Sequence, residues 1–545
     1  MKIALSQLNF IVGDLNGNCI KIIDAINQAK QQQCHLIVFS ELSICGYAPQ
    51  DLLDYNNFIE QCEQKVLEVA KTCIGIHAIV GAPTRNPNPT TEGKNLYNSA
   101  LVLNEGKIVD TYNKGLLPNY DVFDEYRYFE SAKKFNCVTI NNTKIALTVC
   151  EDIWDVEEDL MYTVSPLDEL TKEKPQLIIN ISASPFNYNH LQNRANMLAR
   201  NNAKYKLPIL YVNQVGCNTE LIFDGGTMAF NNAGKKVLQA NYYEEDFSVL
   251  EFKNNDIIGS LTAEKPIEKV ENIYKALVYA VQDYFAKTGF TKAVIGLSGG
   301  VDSALTACIA VDALGKENVL GILMPSEFSS DHSVKDAEDL AKNLGCDYHI
   351  LPIKENYESL RKTLAPLYKD LPFNVAEENL QARIRGILVM GVSNKFGHIL
   401  LNTTNKSEAA VGYGTLYGDM CGGIAVLADV YKTEIYEVCN YVNKDKIRIP
   451  VNTLTKAPSA ELRPNQKDSD SLPEYDLLDA ILFQYIENIK TATEIIKMGY
   501  DEKTVTRVVR LINLNEYKRK QMAPVLRVSP KAFGYGRRMP IVGKY

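Results

Sequence analysis

The sequence predicts two α/β domains in tandem, and three observations support this. The chain has 545 residues, well beyond the size at which a single hydrophobic core stops growing. In each half, short runs typical of strands alternate with longer segments of helical periodicity, which is the pattern of an α/β domain. Near residues 255–268 the sequence becomes polar and its strand pattern fades. We therefore expect one domain over residues 1–260 and a second over residues 261–545.

The first half contains eight predicted strands and two predicted helices. The helices are residues 18–33 and 190–206. The strands are residues 2–10, 35–42, 77–85, 98–106, 144–152, 175–184, 207–216 and 226–234. Strands that alternate with helices in this way form sheets that are covered by helices and well buried.

The second half begins the same alternation again. A predicted helix over residues 272–289 precedes the strand and turn KAVIGLSGG (292–300), and two more strands run into polar loops near residues 318–330 and 398–408. Residues 454–475 are polar and rich in proline, so we expect a loop or lid there and not a core element.

Composition excludes several classes of protein. A net charge of −8 argues against general binding of nucleic acid or anionic membranes, because both require a basic surface. The 12 cysteines form no CxxC pair and no zinc-spaced cluster with histidine, which favours reduced thiols. No apolar run approaches the ~20 residues of a membrane span. We expect a cytoplasmic protein without a nucleic-acid or membrane partner.

The segment SGGVDS (298–303) joins a predicted strand to a predicted helix. Gly299 and Gly300 permit a tight turn whose backbone N–H groups point outward, and the following helix adds N–H donors and a positive dipole end. Such a turn can cradle a pyrophosphate group. Asp302 is compatible with nearby phosphates only when a magnesium ion lies between them. From glycine content alone, a tight turn without a ligand is the slightly better interpretation.

The complete string reverses that preference, because SGGVDS resembles the phosphate loop of the ATP-pyrophosphatase family. Members of that family split ATP into AMP and pyrophosphate and adenylate an oxygen of their substrate. Residues 377–386, 400–433 and 458–479 resemble NAD synthetases within the family. The resemblance implies that ATP is bound by Gly296, Leu297, Ser298, Gly299, Gly300, Val301, Asp302, Ser303 and Thr403.

The same resemblance implies a site for the acceptor. Contacts with deamido-NAD are expected from Asn379, Glu408, Lys432 and Lys518, and magnesium ligation from Asp302 and Glu408. The residues themselves leave a simpler explanation open for two of these positions. Glu408 is also typical of an acid at a helix N-terminus, and Lys518 of a solvated charge in a basic tail.

Three predicted strands in the first half end in an acid, a cation and a thiol. Glu41 ends LIVFSE, Lys114 follows IVDTYN, and Cys150 ends KIALTVC. If these strand ends converge, the thiol gains the base and the oxyanion stabiliser that a nucleophile needs. Taken alone, one cysteine among 12 is better explained as a packing residue.

The strings FSELSICGY, YNKGLLPNY and VCEDIW resemble the nitrilase superfamily, whose catalytic triad is Glu–Lys–Cys. The resemblance implies that Glu41 is the general base, that Lys114 stabilises the oxyanion and that Cys150 forms a thioester. Glu125 matches an additional carboxylate that often lies beside the lysine. Glutamine contacts are implied for Tyr120, Ser184 and His190. The last position is often lysine-like in relatives, so His190 departs from the pattern.

Together the two halves resemble the glutamine-dependent NAD synthetases. This implies an αββα-sandwich, nitrilase-like glutaminase domain followed by a doubly wound, Rossmann-like ATP-pyrophosphatase domain. The implied substrates are deamido-NAD, ATP and L-glutamine, with Mg²⁺ accompanying ATP and without a tightly bound organic cofactor. The family also implies a homo-oligomer, from a dimer up to an octamer. Because ammonium is not nucleophilic, we expect a protected route for ammonia between the two sites.

Two alternatives stay open. The chain is either this enzyme or another glutamine-fed ATP-pyrophosphatase that amidates a nucleotide or modifies tRNA. The net charge and the nitrilase-like half argue against the second enzyme class. A metabolite-binding scaffold without catalysis is the remaining alternative, and the presence of every expected catalytic residue argues against it.

Overall fold

The computed structural model describes residues 1–89, 93–154, 162–259, 267–464 and 466–543. The chain divides into two compact units, Met1–Pro266 and Ile267–Tyr545. The expected domain boundary between residues 260 and 261 lies outside the described residues. Among the described residues, no helix combines the length and the apolar character needed to cross a membrane.

The first unit has fifteen strands and four helices within its described residues. The strands are β1 (Lys2–Gln7), β2 (Leu36–Val38), β3 (His77–Arg85), β4 (Leu96–Asn104), β5 (Lys107–Asn113), β6 (Val138–Ile140), β7 (Thr143–Val149), β8 (Leu177–Ser182), β9 (Ile209–Asn213), β10 (Val215–Asn218), β11 (Leu221–Asp224), β12 (Met228–Phe230), β13 (Lys236–Gln239), β14 (Asp246–Lys253) and β15 (Asp256–Ile258). The helices are α1 (Leu15–Gln31), α2 (Asn56–Thr72), α3 (Pro166–Thr171) and α4 (His190–Tyr205).

These strands form two large sheets and a two-stranded ribbon. The larger sheet has the order β15-β14-β1-β2-β3-β4-β5, and the smaller has the order β13-β12-β9-β8-β7-β6. Each sheet has a parallel centre, β1-β2-β3 in the larger and β7-β8-β9 in the smaller. Antiparallel strands extend both sheets at their edges.

The two sheets pack face to face between layers of helix. Ile3 of the larger sheet and Leu147 of the smaller sheet belong to one buried apolar cluster. The other face of the larger sheet is covered by α1 and α2, with Ile22 and Val66 in a second cluster. α3 and α4 lie against the smaller sheet, and Leu198 of α4 is fully buried there. The predicted αββα sandwich is therefore confirmed.

The second unit contains five strands and twelve helices within its described residues. The strands are β16 (Ala293–Gly296), β17 (Val319–Leu323), β18 (Asp347–Ile350), β19 (Ile399–Asn402) and β20 (Ile424–Ala425). The helices are α5 (Lys269–Thr288), α6 (Val301–Leu314), α7 (Asp331–Leu344), α8 (Lys354–Tyr368), α9 (Val375–Phe396), α10 (Lys406–Val411), α11 (Lys432–Val442), α12 (Val451–Thr455), α13 (Tyr475–Ile486), α14 (Ala492–Lys497), α15 (Glu502–Leu514) and α16 (Glu516–Arg519).

The sheet of this unit is entirely parallel, in the order β18-β17-β16-β19-β20. Val294 of β16 packs with Val389 of α9, whereas the buried neighbours Ala293 and Ile295 point to the opposite face, because side chains alternate along a strand. The predicted doubly wound fold is confirmed.

The chain leaves β16 first towards β18 and later towards β20, so the strand order reverses between β16 and β19. Ligands of such sheets bind at that reversal, beyond the carboxyl ends of the strands.

Candidate active sites

The three members of the predicted triad all follow the ends of strands. Glu41 lies three residues beyond β2, Lys114 follows β5 directly, and Cys150 follows β7 directly. β2 and β5 belong to the larger sheet, whereas β7 belongs to the smaller one. Because the inner faces of the sheets share one core, these ends meet at one edge of the sandwich. The structure thus brings together the acid, the cation and the thiol.

Lys114 lies between two carboxylates in the interior. Its Nζ donates to Glu41 Oε1 at 2.7 Å and to both oxygens of Glu125 at 2.8 Å. The side chains of Lys114 and Glu41 are both 0% exposed. Burial opposes the charge of the lysine, but Glu125 and Glu41 outweigh it and raise the Lys114 pKa well above its ordinary value. Burial raises the pKa of Glu125 in turn, with Lys114 opposing that effect.

Further donors fix the carboxylates around Lys114. Asn98 Nδ2 donates to Glu41 at 2.7 Å and to Glu125 at 3.3 Å, and the Ala183 backbone N–H donates to Glu41 Oε2 at 3.0 Å. Asn98 is fully buried in β4. Sequence reasoning missed Asn98, although a polar side chain inside the otherwise apolar run LYNSALVL is a signal that could have indicated it.

Cys150 begins a 3-10 turn, Cys150–Ile153, with a backbone φ of +38°. A non-glycine residue in this region is strained, and such strain is concentrated at functional sites. Burial raises the pKa of the Cys150 thiol well above its ordinary value; Glu41 adds to the effect and Lys114 opposes it. The resting residue is therefore a thiol, which requires a base to become a nucleophile.

The predicted glutamine-binding residues contact one another or the residues that follow Cys150 in the chain. Tyr120 donates its hydroxyl to Glu151, the residue after Cys150, at 2.6 Å. Ser184 Oγ and His190 Nε2 are 3.3 Å apart, and the His190 ring packs edge-on against Trp154 at 5.1 Å between centroids. Ser184 and His190 are thus brought together, and Tyr120 reaches the turn that carries the thiol.

A cavity of about 310 Å³ lies at the reversal point of the second sheet. The loop after β16 and the segment after β19 form its opposite walls. Most of the predicted ATP-binding residues line it: Gly296, Leu297, Ser298, Gly300, Val301, Asp302, Ser303 and Thr403. Glu408 and Lys432 line it as well. The structure therefore gathers most of the predicted ATP and acceptor residues around one space.

Gly299 shapes the loop without lining the cavity. Its φ is +78°, and a Cβ added there would lie 2.2 Å from the carbonyl oxygen of Ser333. The loop is also fastened by hydroxyl contacts, because Ser298 Oγ and Ser303 Oγ are 3.2 Å apart and Ser303 Oγ donates to the Gly300 carbonyl at 3.0 Å. Only glycine permits this close approach between the loop and the start of α7.

Asp302 and Glu408 face one another with Lys432 beside them. Lys432 Nζ lies 2.5 Å from Asp302 Oδ2 and 3.7 Å from Glu408 Oε1. Asn405 Nδ2 donates to the other oxygen of Asp302 at 2.9 Å. Burial, followed by the charge of Asp302, raises the pKa of Glu408 to about 8. Burial disfavours the charge of Lys432, but Asp302 and Glu408 raise its pKa.

Two predicted acceptor residues, Asn379 and Lys518, lie outside the residues that line the cavity. Asn379 Oδ1 accepts the Thr415 hydroxyl at 2.7 Å. Lys518 Nζ donates to the carbonyls of Gly412 and Gly414 at 2.7 and 2.8 Å. Lys518 thus caps the chain that leaves α10, the helix of Glu408.

Residues from the polar segment 454–475 also line the cavity, among them Lys456, Ser459 and Glu461. Glu461 Oε1 accepts hydroxyl hydrogen bonds from Ser330 at 2.9 Å and Ser333 at 2.7 Å. These contacts hold the segment against the start of α7. The helical turn α12 occupies the beginning of the segment.

Arg385 is a cavity residue that sequence reasoning missed. Its Nε donates to the Met324 carbonyl at 3.0 Å, and burial lowers the pKa of its guanidinium. It lies inside the segment EENLQARIRG, whose resemblance to NAD synthetases was noted without assigning this arginine a role. The available signal was an arginine within that segment, because guanidinium groups pair readily with phosphates.

One carboxylate connects the helices that carry Glu408 and Lys432. Asp479 of α13 accepts from Ser407 Oγ at 2.5 Å and from the Thr433 N–H and hydroxyl, both at 2.9 Å. Ser407 precedes Glu408 and Thr433 follows Lys432. Ser407 Oγ also accepts the Lys432 N–H at 2.9 Å. Asp479 thus ties together the first turns of α10 and α11.

Two family models match the chain, one in each half. Carbon-nitrogen hydrolase matches residues 2–258, and NAD synthase matches residues 273–522. A glutamine-dependent NAD(+) synthetase from Synechocystis sp. is 46% identical over 546 residues, which cover 99% of this chain and 98% of that protein. The chain belongs to the family of glutamine-dependent NAD(+) synthetases.

Other members of the family are similar over the same length. The glutamine-dependent NAD(+) synthetase of Acinetobacter baylyi is 40% identical, with 99% of this chain and 98% of the relative covered. A solved structure of the Acinetobacter baumannii enzyme, in complex with ADP, has a TM-score of 0.79 at 39% identity and covers 99% of this chain and 98% of its own. The Cytophaga hutchinsonii structure, with a TM-score of 0.83 at 21% identity, covers 100% of this chain and 98% of its own, and it supports the fold alone.

The family resemblance read from the sequence is confirmed by these matches. They give no support to the alternative of a nucleotide-amidating or tRNA-modifying ATP-pyrophosphatase.

We expect Gly299→Ala to abolish NAD formation with either glutamine or ammonium chloride as nitrogen donor. The new methyl group would collide with the Ser333 carbonyl, so the loop after β16 must move. The matched control is Gly289→Ala, because Gly289 has nearly the same left-handed φ, +77°, but no atom within 4 Å of the added Cβ. We expect the control to lose about 1–2 kcal/mol of stability and to keep its activity. Wild-type rates in Gly299→Ala would contradict the role of this loop.

We expect Asp479→Asn to lower ammonium-driven NAD formation by ~10²-fold, because a displacement of about 1 Å at a reacting group has an effect of that size. Asp476→Asn, an exposed aspartate on the same helix, is the control and should keep the wild-type rate. The measurement is the steady-state rate of NAD formation by each of the two variants and by the wild type. Equal rates in the two variants would show that Asp479 does not hold Glu408 and Lys432 in place.

Proposed function

We propose that residues 1–260 release ammonia from L-glutamine and that residues 261–545 use it to amidate deamido-NAD. ATP activates the acceptor, and the products are NAD, AMP, pyrophosphate and glutamate. One observation carries the proposal: a single chain contains both a buried acid–lysine–thiol cluster and a glycine loop at the reversal point of a parallel sheet. Either site alone would support a narrower reaction.

In the first reaction, Glu41 accepts the thiol proton of Cys150, and Sγ attacks the side-chain carbonyl carbon of glutamine. Lys114 stabilises the oxyanion that forms, a contribution of ~2.7–4 kcal/mol for one donor. The C–N bond then breaks, and Glu41 returns the proton to the departing ammonia. Water adds to the γ-glutamyl thioester, the C–S bond breaks and glutamate leaves. Glu125 keeps Lys114 charged and oriented throughout.

Glutamine recognition is assigned to Tyr120, Ser184 and His190. Ser184 and His190 offer a hydroxyl and an imidazole, and Tyr120 offers a phenol hydroxyl beside Glu151. We assign these groups to the polar end of the amino acid, where hydrogen bonds select glutamine over a simple amide. His190 fills this role with a ring that Trp154 and Asn187 hold in place.

In the second reaction, the nicotinate carboxylate of deamido-NAD attacks the α-phosphorus of ATP and pyrophosphate leaves. The acyl adenylate is a reactive electrophile because AMP departs readily, whereas hydroxide does not. Ammonia then attacks the carbonyl carbon and displaces AMP. We assign the loop from Gly296 to Ser303 to the phosphates, together with Thr403. Lys432 is placed to neutralise phosphate charge beside Asp302.

Magnesium suits the carboxylates of this cavity. Mg²⁺ prefers hard oxygen ligands, and Asp302 and Glu408 present carboxylates close enough for one to raise the pKa of the other. Within the described residues, no group of three or more metal-ligating side chains is found, so phosphate oxygens would complete the ligand set. When bound, the ion would neutralise the pyrophosphate. Asp302 and Glu408 are therefore the residues we assign to it.

The segment 454–475 is suited to exclude water from the adenylate, which hydrolysis would destroy. Its residues Lys456 and Glu461 line the cavity, and Glu461 is fastened to Ser330 and Ser333. We assign it the role of a lid.

We expect Cys150→Ala to abolish NAD formation from glutamine and to leave NAD formation from ammonium chloride unchanged. The variant lacks the nucleophile of the first site, whereas the second site lies in a separate compact unit. Cys34→Ala, a buried packing cysteine of the same unit, is the matched control and should use both donors. If Cys150→Ala still uses glutamine, another residue is the nucleophile. If the wild type makes no NAD from either donor, the proposed function is wrong.

We expect the amide nitrogen of glutamine to reach NAD without mixing with external ammonium. Ammonia released into neutral solution becomes ammonium and loses its nucleophilic lone pair, so an efficient reaction requires a protected path. Glutamine labelled with ¹⁵N in its amide, supplied with excess unlabelled ammonium chloride, should give NAD richer in ¹⁵N than the bulk ammonium pool. Label diluted to the bulk ratio would refute a protected path.

We propose that the chain forms a homo-oligomer, from a dimer up to an octamer. Large apolar side chains cluster where the chain passes from α8 to α9 and are exposed there, with Leu367 at 76%, Leu371 at 71% and Val375 at 62%. Apolar surface of this kind is typical of contacts between subunits. Light scattering coupled to size-exclusion chromatography should report a dimer or a larger assembly, and a monomer at micromolar concentration would contradict this.

A further inference from the structure

Asp152 is a buried carboxylate to which the reaction above assigns no role. It is 1% exposed and lies two residues beyond Cys150. Four donors converge on it. Oδ1 accepts the backbone N–H groups of Gly115 and Leu116 at 2.9 and 2.8 Å, and Oδ2 accepts the Val149 N–H at 3.1 Å and the Tyr112 hydroxyl at 2.9 Å.

These donors flank the two reacting side chains. Gly115 and Leu116 directly follow Lys114, whereas Val149 directly precedes Cys150. Lys114 follows β5 of the larger sheet and Cys150 follows β7 of the smaller one. One carboxylate therefore connects the backbone of the oxyanion-stabilising lysine with the backbone of the nucleophile, across two sheets that share no ladder of hydrogen bonds.

A local role does not account for this arrangement. A residue three positions into a helical turn often accepts a backbone N–H at the start of that turn, and the bond from Val149 is of this kind. The bonds from Gly115 and Leu116 come from residues 37 and 36 positions away in the chain. They would be unnecessary for capping the turn, and they fix the distance between two segments.

We propose that Asp152 is a positioning residue for the glutaminase reaction, holding Lys114 and Cys150 at the separation that attack and oxyanion stabilisation require. The inference rests on the proposed glutaminase function of this site. It follows from geometry, because a displacement of about 1 Å at a reacting group lowers a rate by ~10²-fold.

Burial raises the pKa of Asp152 to about 6, and the hydrogen bonds from Leu116, Val149 and Tyr112 oppose the shift. An asparagine in its place would keep the shape of the side chain but would offer only one acceptor oxygen. Its NH₂ group would face at least one of the N–H or O–H donors, and the unpaired donor would push the two segments apart.

The test compares Asp152→Asn, Tyr112→Phe, Cys150→Ala and the wild type, each with glutamine and with ammonium chloride as donor. We expect Asp152→Asn to lower kcat of the glutamine-driven reaction by ~10²-fold, with KM for glutamine and the ammonium-driven rate unchanged. Tyr112→Phe removes one donor of the four and should lower the same kcat by a smaller factor. Partial loss of fold would also lower the apparent kcat at an unchanged KM, so each kcat is expressed per glutaminase site that a diazoketone analogue of glutamine labels at completion.

A wild-type kcat in Asp152→Asn would overturn the inference. If that variant fails to fold, Tyr112→Phe decides: a reduced kcat at unchanged KM supports the inference, and a wild-type kcat overturns it. A wild type without glutaminase activity would instead refute the proposed function itself, so the two failures are distinguishable.

Discussion

The first site depends on the charge of Lys114, which is held in the interior by two carboxylates. A buried ammonium group without partners would lose its proton, because removing an ion from water costs several kcal/mol. Glu41 and Glu125 offset this cost, because their carboxylate oxygens lie within 2.8 Å of Nζ. The same contacts leave Glu41 near enough to influence the Cys150 thiol, which we propose that it deprotonates. Charge retention and proton transfer are therefore consequences of one cluster, and removal of any member alters both.

That cluster constrains the fold around it. Glu41 and Lys114 follow strands of the larger sheet, whereas Cys150 follows a strand of the smaller one, so the sandwich must close accurately before the site exists. Asn98 in β4 and the Ala183 backbone after β8 add donors that hold Glu41 in one orientation. The second unit also places a lysine beside two carboxylates, but its fold brings them together in a different way. Its acid–lysine group is collected at the reversal point of a parallel sheet, where strand ends and helix starts already converge.

Much of this architecture could be predicted from the sequence. The alternation of apolar runs and helical periodicity predicted both α/β domains, and the run HAIVGAPTR coincides with β3. The convergence of Glu41, Lys114 and Cys150 could be predicted because each follows a recognisable strand. The helix α2 was not predicted, since its polar face is long and no N-cap side chain marks its start. The contacts of Asp152 and Asp479 could not be predicted either, because each connects segments far apart in the chain.

The positions of Asn379 and Lys518 illustrate the same limit. Their motifs were recognised, but the directions of their side chains depend on Thr415, Gly412 and Gly414, which no local pattern connects to them. Sequence motifs identify which segments meet. The hydrogen bonds between those segments decide which side chains face the cavity.

The most direct test of the central claim is the rate at which a diazoketone analogue of glutamine alkylates Cys150, followed by intact-protein and peptide mass spectrometry. The thiol displaces N₂ from the analogue and forms a stable thioether, so the adduct accumulates. If the charge of Lys114 organises the site, the wild type acquires one adduct on Cys150 and Lys114→Met acquires it far more slowly. Equal rates, or an adduct on another cysteine, would contradict the account.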